Sequence, residues 1–130
     1  MSAAPARPRI TRPPEEEIGL VQGIYPDSRN EWHFALACDK LRLDYNFQYP
    51  VGIIGARGSQ WIDFVVYVPP SRKACFIQGA YWHNRRSQIE DQIKHAVAER
   101  YFGPGNVVDF SEEETSSVEA AVRAIRRKLL

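Results

Sequence analysis

The sequence lacks the features that mark a membrane protein, a disulfide-bonded secreted protein or a zinc protein. No apolar run approaches the roughly 20 residues that a helix needs to span a bilayer, so no membrane partner is expected. Two of its 130 residues are cysteines, Cys38 and Cys75, and neither stands in a Cys-x-x-Cys or Cys/His spacing. We therefore expect both thiols to be reduced in the core of a cytoplasmic protein, and we expect no zinc site.

The sequence also lacks an excess of either charge. Its 17 basic and 16 acidic residues give a net charge of +1, whereas a protein that binds DNA mainly through phosphates usually carries more positive charge. The basic side chains are grouped, at 72–73, 85–86 and 123–128. Such groups are typical of solvated faces. The charge nevertheless excludes neither an enzyme nor a nucleic-acid binder.

What is present indicates one globular domain. The chain is 44% hydrophobic and 25% charged, which is typical of a soluble protein, and it has room for a single core. Residues 1–14 are rich in Pro, Ala and Arg and have almost no large apolar side chain. We predict a disordered or extended arm there, rather than a signal peptide. Residues 15–130 form the single folded domain.

The spacing of apolar residues predicts helices at both ends and strands between them. A first helix is expected over about 31–41, with Ser28 or Asn30 as its N-cap. Its expected inward residues are Trp32, Leu36 and Ala35. A strand follows from Tyr45, in which aromatic and polar residues alternate as far as Pro50.

The rest of the chain completes the order α-β-β-β-α-β-α. Residues 61–68 and 106–110 are predicted strands, and 74–77 is a short strand covered on both faces. A helix over about 86–101 is expected to bury Ile89, Ile93, Val97 and Ala96. Ser111 is the expected cap of the last helix. We predict an α/β (α+β) fold with a mixed central sheet of about four strands, helices on both faces, and the strands 61–68 and 74–77 adjacent.

Asp63 is the first residue that departs from these patterns. It stands in a strand of β-branched and aromatic residues, and a carboxylate is costly to bury unless it is paired or bound to a metal. Asp63 therefore either points to solvent or caps a turn, or it ligates a metal where two strands diverge.

A second departure begins where the 74–77 strand ends, with the sequence QGAYWH at 78–83. Proteins with α/β folds place their sites at strand ends of this kind. The unperturbed pKa of a histidine side chain lies near neutrality, so His83 suits acid–base catalysis or a phosphate contact. A histidine beside Tyr and Trp is more often a packed residue, so it is the combination with Asp63 that favours a site.

Glu31, at the start of the first helix, is the third candidate. The helix dipole stabilises a glutamate there without any function. Alternatively, Glu31, Asp63 and the carbonyl group of Ile77 or Gln78 supply the oxygen ligands that a hard cation such as Mg²⁺ requires. We therefore expect these residues and His83 to converge.

These motifs together resemble a known superfamily. Glu31, FQYP at 47–50, WIDFVVYVPP at 61–70 and CFIQGAYWH at 75–83 resemble the PD-(D/E)XK, restriction-endonuclease-like nucleases. They look most similar to very-short-patch-repair-type and phage-encoded enzymes, over about residues 23–129. The resemblance implies that Asp63 is the metal-binding aspartate, Glu31 the leading-helix glutamate and His83 the histidine that assists hydrolysis.

The sequence departs from that motif at two positions. Gln78 stands where the motif has Glu, and its amide oxygen can ligate a cation but brings no charge. Ala80 stands where the motif has Lys. Lys94, with Asp91 one turn before it on the next helix, is the candidate for a relocated lysine, unless it is a solvated surface residue. The Cys/His zinc ligands of the patch-repair enzymes have no counterpart, so mismatch recognition is not implied.

We therefore predict a DNA endonuclease that depends on Mg²⁺ or Mn²⁺, encoded by a phage or mobile element and acting in the host cytoplasm. Arg57, Arg85 and Arg86 are expected to contact the DNA backbone, near a glycine loop at 52–58. Two alternatives remain: a catalytically degenerate protein of the same fold that binds DNA or serves in virion assembly, and an interaction module with an aromatic surface. A homodimer or phage assembly proteins are the other expected partners.

Overall fold

The computed structural model describes residues 18–51, 60–78 and 85–130, and for residues 60, 85–88 and 90 it describes the backbone alone. Its elements follow the predicted order. The helices are α1 (Arg29–Lys40), α2 (Arg85–Phe102) and α3 (Val118–Lys128), and the strands are β1 (Tyr45–Val51), β2 (Gln60–Val68), β3 (Ser71–Ile77) and β4 (Val107–Phe110). The predicted arm at 1–14 and the glycine loop at 52–58 lie outside the described residues. In the part of the chain that the structure describes, no helix is long and apolar enough to cross a membrane.

The four strands form one mixed, open sheet in the order β1-β2-β3-β4. The pairs β1/β2 and β2/β3 are antiparallel, and β3/β4 is parallel. A parallel pair needs a crossover connection, and α2 lies in the chain between β3 and β4. The predicted adjacency of the Asp63 strand and the Ile77 strand is confirmed, and the fold is α+β with helices on both faces.

Helices α1 and α3 cover one face of the sheet. Phe34 of α1 packs between Phe64 of β2 and Phe110 of β4, with ring centroids 4.7 and 4.9 Å apart. Ala121 and Ile125 of α3 are buried in the same cluster. Tilted and edge-on aromatic pairs at these distances add to the free energy that burial of apolar area already supplies. This cluster is the larger of the two cores.

Helix α2 covers the opposite face. Ala98 and Phe102, in its second half, are buried against Ile62, Val65 and Phe76 of the sheet. The prediction for its first half is wrong, because Ile89 and Ile93 are 59% and 50% exposed. The helix is rotated so that polar residues occupy its sheet-facing positions near the end of β3. Those residues are Asp91, Lys94 and His95.

The hairpin of β1 and β2 reverses its faces at Gln48 and Asp63. The ladder keeps one register on both sides of this pair but does not include it. Gln48 has a φ of 55°, in the left-handed region. Phe47 packs in the core under α1 and α3, whereas Tyr49 packs on the α2 side. The predicted alternation places all aromatic residues of β1 on one face, and it is wrong here. The left-handed backbone at Gln48 turns the next side chain, Tyr49, to the opposite face of the sheet.

Helix α1 begins at Arg29, two residues before the predicted start, and it uses the first of the two predicted caps. The Ser28 Oγ accepts a hydrogen bond from the backbone N–H of Glu31 at 3.2 Å, so Ser28 is the N-cap. Phe34 and Ala35 are buried, but Leu36 is 36% exposed and not inward as predicted. Two residues of helix turn Leu36 by about 200° from Phe34, so both cannot face the same core.

Helix α3 begins six residues later than predicted. Its N-cap is Ser117, whose Oγ accepts from the N–H of Ala120 at 3.0 Å. Ser111 instead starts the short 3-10 turn Glu113–Thr115: its Oγ accepts from the N–H of Glu114, and the Glu114 Oε1 accepts from the N–H of Ser111. Ser111 and Ser117 are both of the residue type that caps the N-terminus of a helix. In the structure Ser111 starts the 3-10 turn and Ser117 caps α3.

Candidate active site

A cleft opens where β2 and β3 separate. Their ladder ends at the pair Phe64–Cys75. Beyond it, the Ile77 N–H donates to Oδ2 of Asp63 at 2.8 Å. Asp63 is 9% exposed, so the alternative that it points to solvent is wrong. Its carboxylate instead accepts from a strand N–H at a point of strand divergence, which is the location that the functional interpretation of Asp63 requires.

The cleft is lined by residues from three elements. Asp63 comes from β2, and Gln78 follows directly after β3. Asp91 and Lys94 come from α2, where a spacing of three residues places them on one side of the helix. Phe76 and Ile77 complete the lining. The side chains of Asp63 and Gln78 therefore open into one cleft, on the face of the sheet that α2 covers.

A hydrogen bond joins the two elements across this cleft. The Nε2 of Gln78 donates to Oδ2 of Asp91 at 3.3 Å. An amide nitrogen can only donate and a carboxylate can only accept, so the contact determines which end of the Gln78 amide faces Asp91. Lys94 lines the same cleft, which is where a relocated lysine has to lie to act there.

Glu31 is deeply buried but is not one of the cleft's described lining residues. It lies in the first turn of α1 and is 2% exposed. Helix α1 covers the face of the sheet opposite to α2. The contacts of the described residues do not bring Glu31 to Asp63. The role of Glu31 as a metal ligand therefore stays a prediction.

Several predicted residues cannot be located relative to the cleft. His83, Ala80 and Arg57 lie outside the described residues. Arg85 and Arg86 form the start of α2, and only their backbone is described. Their expected roles in acid–base assistance and DNA contact stay predictions.

A histidine–aspartate pair beside the cleft was not found from the sequence. His95, one turn after Asp91, stacks on the Phe76 ring with centroids 4.8 Å apart. Its Nε2 lies 2.7 Å from Oδ1 of Asp109 in β4. Burial raises the pKa of the Asp109 carboxyl, although the hydrogen bond and charge of His95 oppose this effect. The sequence signal for this pair is the spacing of residues 91, 94 and 95, which places three polar side chains on the side of α2 that packs on the sheet.

The donor atoms of the cleft suit a hard divalent cation. Asp63 and Asp91 offer carboxylate oxygens and Gln78 an amide oxygen, whereas zinc prefers nitrogen and sulfur ligands. The described residues contain no group of three or more His, Cys, Asp or Glu side chains able to hold a metal. Mg²⁺ does not need one, because it keeps several waters and commonly binds through one or two carboxylates.

Comparison of the chain with protein-family models, with curated proteins and with solved structures gave no significant match.

Proposed function

We propose that the chain is a DNA endonuclease of the PD-(D/E)XK type that requires Mg²⁺ or Mn²⁺. The observation that carries the proposal is the meeting of Asp63, Gln78 and Lys94 in one cleft at the divergence of β2 and β3. The mixed four-stranded sheet with helices on both faces is compatible with a restriction-endonuclease-like fold, and the resemblance of the motifs supports the same assignment.

Each residue then has a distinct part in cleavage. Asp63, held by the Ile77 N–H, and the amide oxygen of Gln78 bind the cation. When bound, the cation neutralises charge on the phosphate and lowers the pKa of a water molecule. Lys94 supplies a positive charge beside the scissile phosphate, and His83 moves a proton during hydrolysis. Arg57, Arg85 and Arg86 hold the DNA backbone.

The primary test is plasmid cleavage. Purified protein should nick or linearise supercoiled plasmid with Mg²⁺ or Mn²⁺, and EDTA should stop the reaction. Asp63→Asn should lower the rate by at least about 10²-fold, because a bound cation contributes several kcal/mol to transition-state stabilisation. The variant should still fold, since the asparagine oxygen can accept from the Ile77 N–H. Melting curves check this.

Matched variants separate the site from general charge effects. Asp44→Asn makes the same change at an exposed position and should leave the rate unchanged. Lys94→Ala should slow cleavage, whereas Lys40→Ala at the exposed end of α1 should not.

His83→Ala should lower the cleavage rate by about 10²–10⁴-fold, which is the usual range for acid–base assistance. Cleavage by Asp63→Asn at the wild-type rate would remove the proposed site.

A second candidate is a non-catalytic DNA-binding or virion-assembly protein with the same fold. It is favoured by the neutral Gln78 and by Ala80, which replace two charged residues of the resembled motif. This candidate holds if the wild type and Asp63→Asn are equally inert on supercoiled, linear and single-stranded DNA with either metal, yet bind DNA equally well.

A further inference from the structure

The orientation of α2 is unusual for a helix that packs on a sheet. Ile89 and Ile93 point outward and are at least half exposed, while Asp91 and Lys94 take positions on the cleft. Burial of an isoleucine side chain stabilises a folded protein, so the first half of α2 forgoes stabilisation that the opposite rotation would supply. Departures of this kind from the expected pattern are concentrated at functional sites.

Asp91 is the acidic residue that this orientation brings to the cleft. It lines the cleft together with Asp63, and it accepts the hydrogen bond from Gln78 Nε2 at 3.3 Å. The bond occupies the nitrogen end of the Gln78 amide. The oxygen end, which is the only part of this side chain that can ligate a cation, is then turned away from Asp91.

The identities of residues 78 and 91 depend on each other electrostatically. A glutamate at 78 would place a second carboxylate against that of Asp91, where the Gln78 amide now lies 3.3 Å away, and like charges so close repel each other. A glutamine avoids this repulsion and still offers an oxygen. The cleft therefore keeps a single carboxylate at this position, on the helix and not on the strand.

We propose that Asp91 is the second acidic residue of the site: it supplies the negative charge that Gln78 lacks, and it orients the Gln78 amide with its oxygen available to the cation. This rests on the proposed function, in that it assigns a further residue to the same metal-binding cleft. Asp63 of β2 and Asp91 of α2 then contribute the two negative charges of the cleft, and Gln78 contributes a neutral oxygen.

The test measures the binding of Mn²⁺ to the full chain without DNA, both by calorimetry and by electron paramagnetic resonance. Asp91→Asn should weaken binding by about 10–100-fold, the range seen when a group that supports a metal site is removed. Glu99→Gln removes one charge at an exposed position two turns further along α2 and should not change the affinity.

A charge relocation gives a second readout. Gln78→Glu alone should lower the melting temperature in the absence of metal, because two carboxylates then face each other. The double variant Gln78→Glu/Asp91→Asn moves the charge across the hydrogen bond, and it should recover both the melting temperature and most of the Mn²⁺ affinity. A merely structural role of Asp91 would restore the melting temperature alone, so the recovery of the Mn²⁺ affinity is the readout that is specific to the metal site.

The outcomes separate this inference from the proposed function. If Asp63→Asn loses Mn²⁺ but Asp91→Asn binds it as the wild type does, the role of Asp91 is overturned and the nuclease proposal stands. Failure of the double variant to recover affinity also overturns it. If the wild type binds no Mn²⁺, both the inference and the metal-dependent nuclease are overturned together.

Discussion

Burial determines the chemistry of the two thiols. Cys38 and Cys75 are both fully buried and free, in the core beneath α1 and α3. Burial raises the pKa of each thiol well above its ordinary value, and the nearby charge of Asp39 adds to the effect at Cys38. The sequence prediction of two core cysteines is therefore confirmed. Because the thiolate is the reactive form, these residues are expected to be inert in the folded protein.

This inertness can be measured with a thiol-specific chromogenic reagent. At pH 8 the folded chain should react only as fast as it unfolds, so the rate should rise with urea in parallel with the loss of structure. Concentrated guanidinium chloride should release both thiols at once. Labelling in native buffer at the rate of free cysteine would show that at least one thiol is accessible or activated.

The residues that line the cleft differ in how clearly the sequence marks them. Asp63 stood out because a carboxylate in an apolar strand conflicts with its local pattern, and the structure buries it at the cleft. Gln78 was recognisable because it follows directly after a continuous apolar strand. The position of Asp91 in the cleft was not predicted, because an aspartate in a helix conflicts with no local pattern and its contact with Gln78 joins two elements.

At the scale of elements, α2 shows how packing overrides periodicity. The apolar spacing at 89, 93 and 97 predicts a buried stripe, yet the buried residues are Ala98 and Phe102. Both stripes are possible on one helix, and they differ by a rotation about its axis. The second stripe is the one that packs on the sheet, and this rotation leaves polar side chains over the separated ends of β2 and β3.

Two substitutions distinguish these stripes. Ile93→Gln should reduce the free energy of unfolding by at most about 1 kcal/mol, since half of the side chain is already exposed. Ala98→Leu should reduce it by about 1–3 kcal/mol, because added methylenes do not fit a closely packed core. Urea denaturation of the full chain measures both. The reverse ranking would mean that α2 packs through its isoleucines.

The edge strand β1 is protected by a side chain. Gln22 donates from Nε2 to the carbonyl of Tyr45 at 2.6 Å, and its Oε1 accepts from the N–H of Phe47 at 2.9 Å. One amide side chain therefore pairs with two backbone groups that would otherwise be open to another strand. Edges left open in this way promote association between chains.

Gln22→Ala should therefore have two effects. The free energy of unfolding should fall by about 1–2 kcal/mol, since two hydrogen bonds of ordinary net strength are lost. The variant should also associate more strongly at high concentration, which light scattering measures. Gln92→Ala, at an exposed position on α2, is the matched control. Equal stability and equal scattering of both variants would exclude a protective role for Gln22.

At the scale of the whole molecule, the sheet separates two unequal cores. Among the residues that the structure describes, α1 and α3 cover one face and α2 covers the other, and the cleft lies on the face that α2 covers. Asn30 and His33 of α1 bond to the segment between β4 and α3, at the Glu112 carbonyl and at Thr115. The face opposite the cleft is thus tied together by side chains as well as by its apolar core.

The arm at 1–14 lies outside the described residues, and its predicted lack of packing rests on composition. With almost no large apolar side chain to bury, it should add little to stability. A chain that begins at Glu15 should therefore melt close to the full-length protein in calorimetry. A decrease of many degrees would show that the arm packs on the domain or on a second copy.

The sequence by itself determined the order of the elements, a cap for α1 at Ser28 or Asn30, the two core cysteines and the exceptional position of Asp63. Each of these depends on residues within one or two turns, or on a single side chain that conflicts with its strand. Local propensity and periodicity act over that range, and so they could be read along the chain.

Only the tertiary structure decided the rotation of α2, the change of face at Gln48 and the choice of Ser117 as the cap of α3. The same holds for the hydrogen bonds from Ile77 to Asp63 and from Gln78 to Asp91. Each of these choices has a local alternative of similar free energy, so the neighbouring element decides between them. The cleft is made of such choices, because it lies between elements that are distant in sequence.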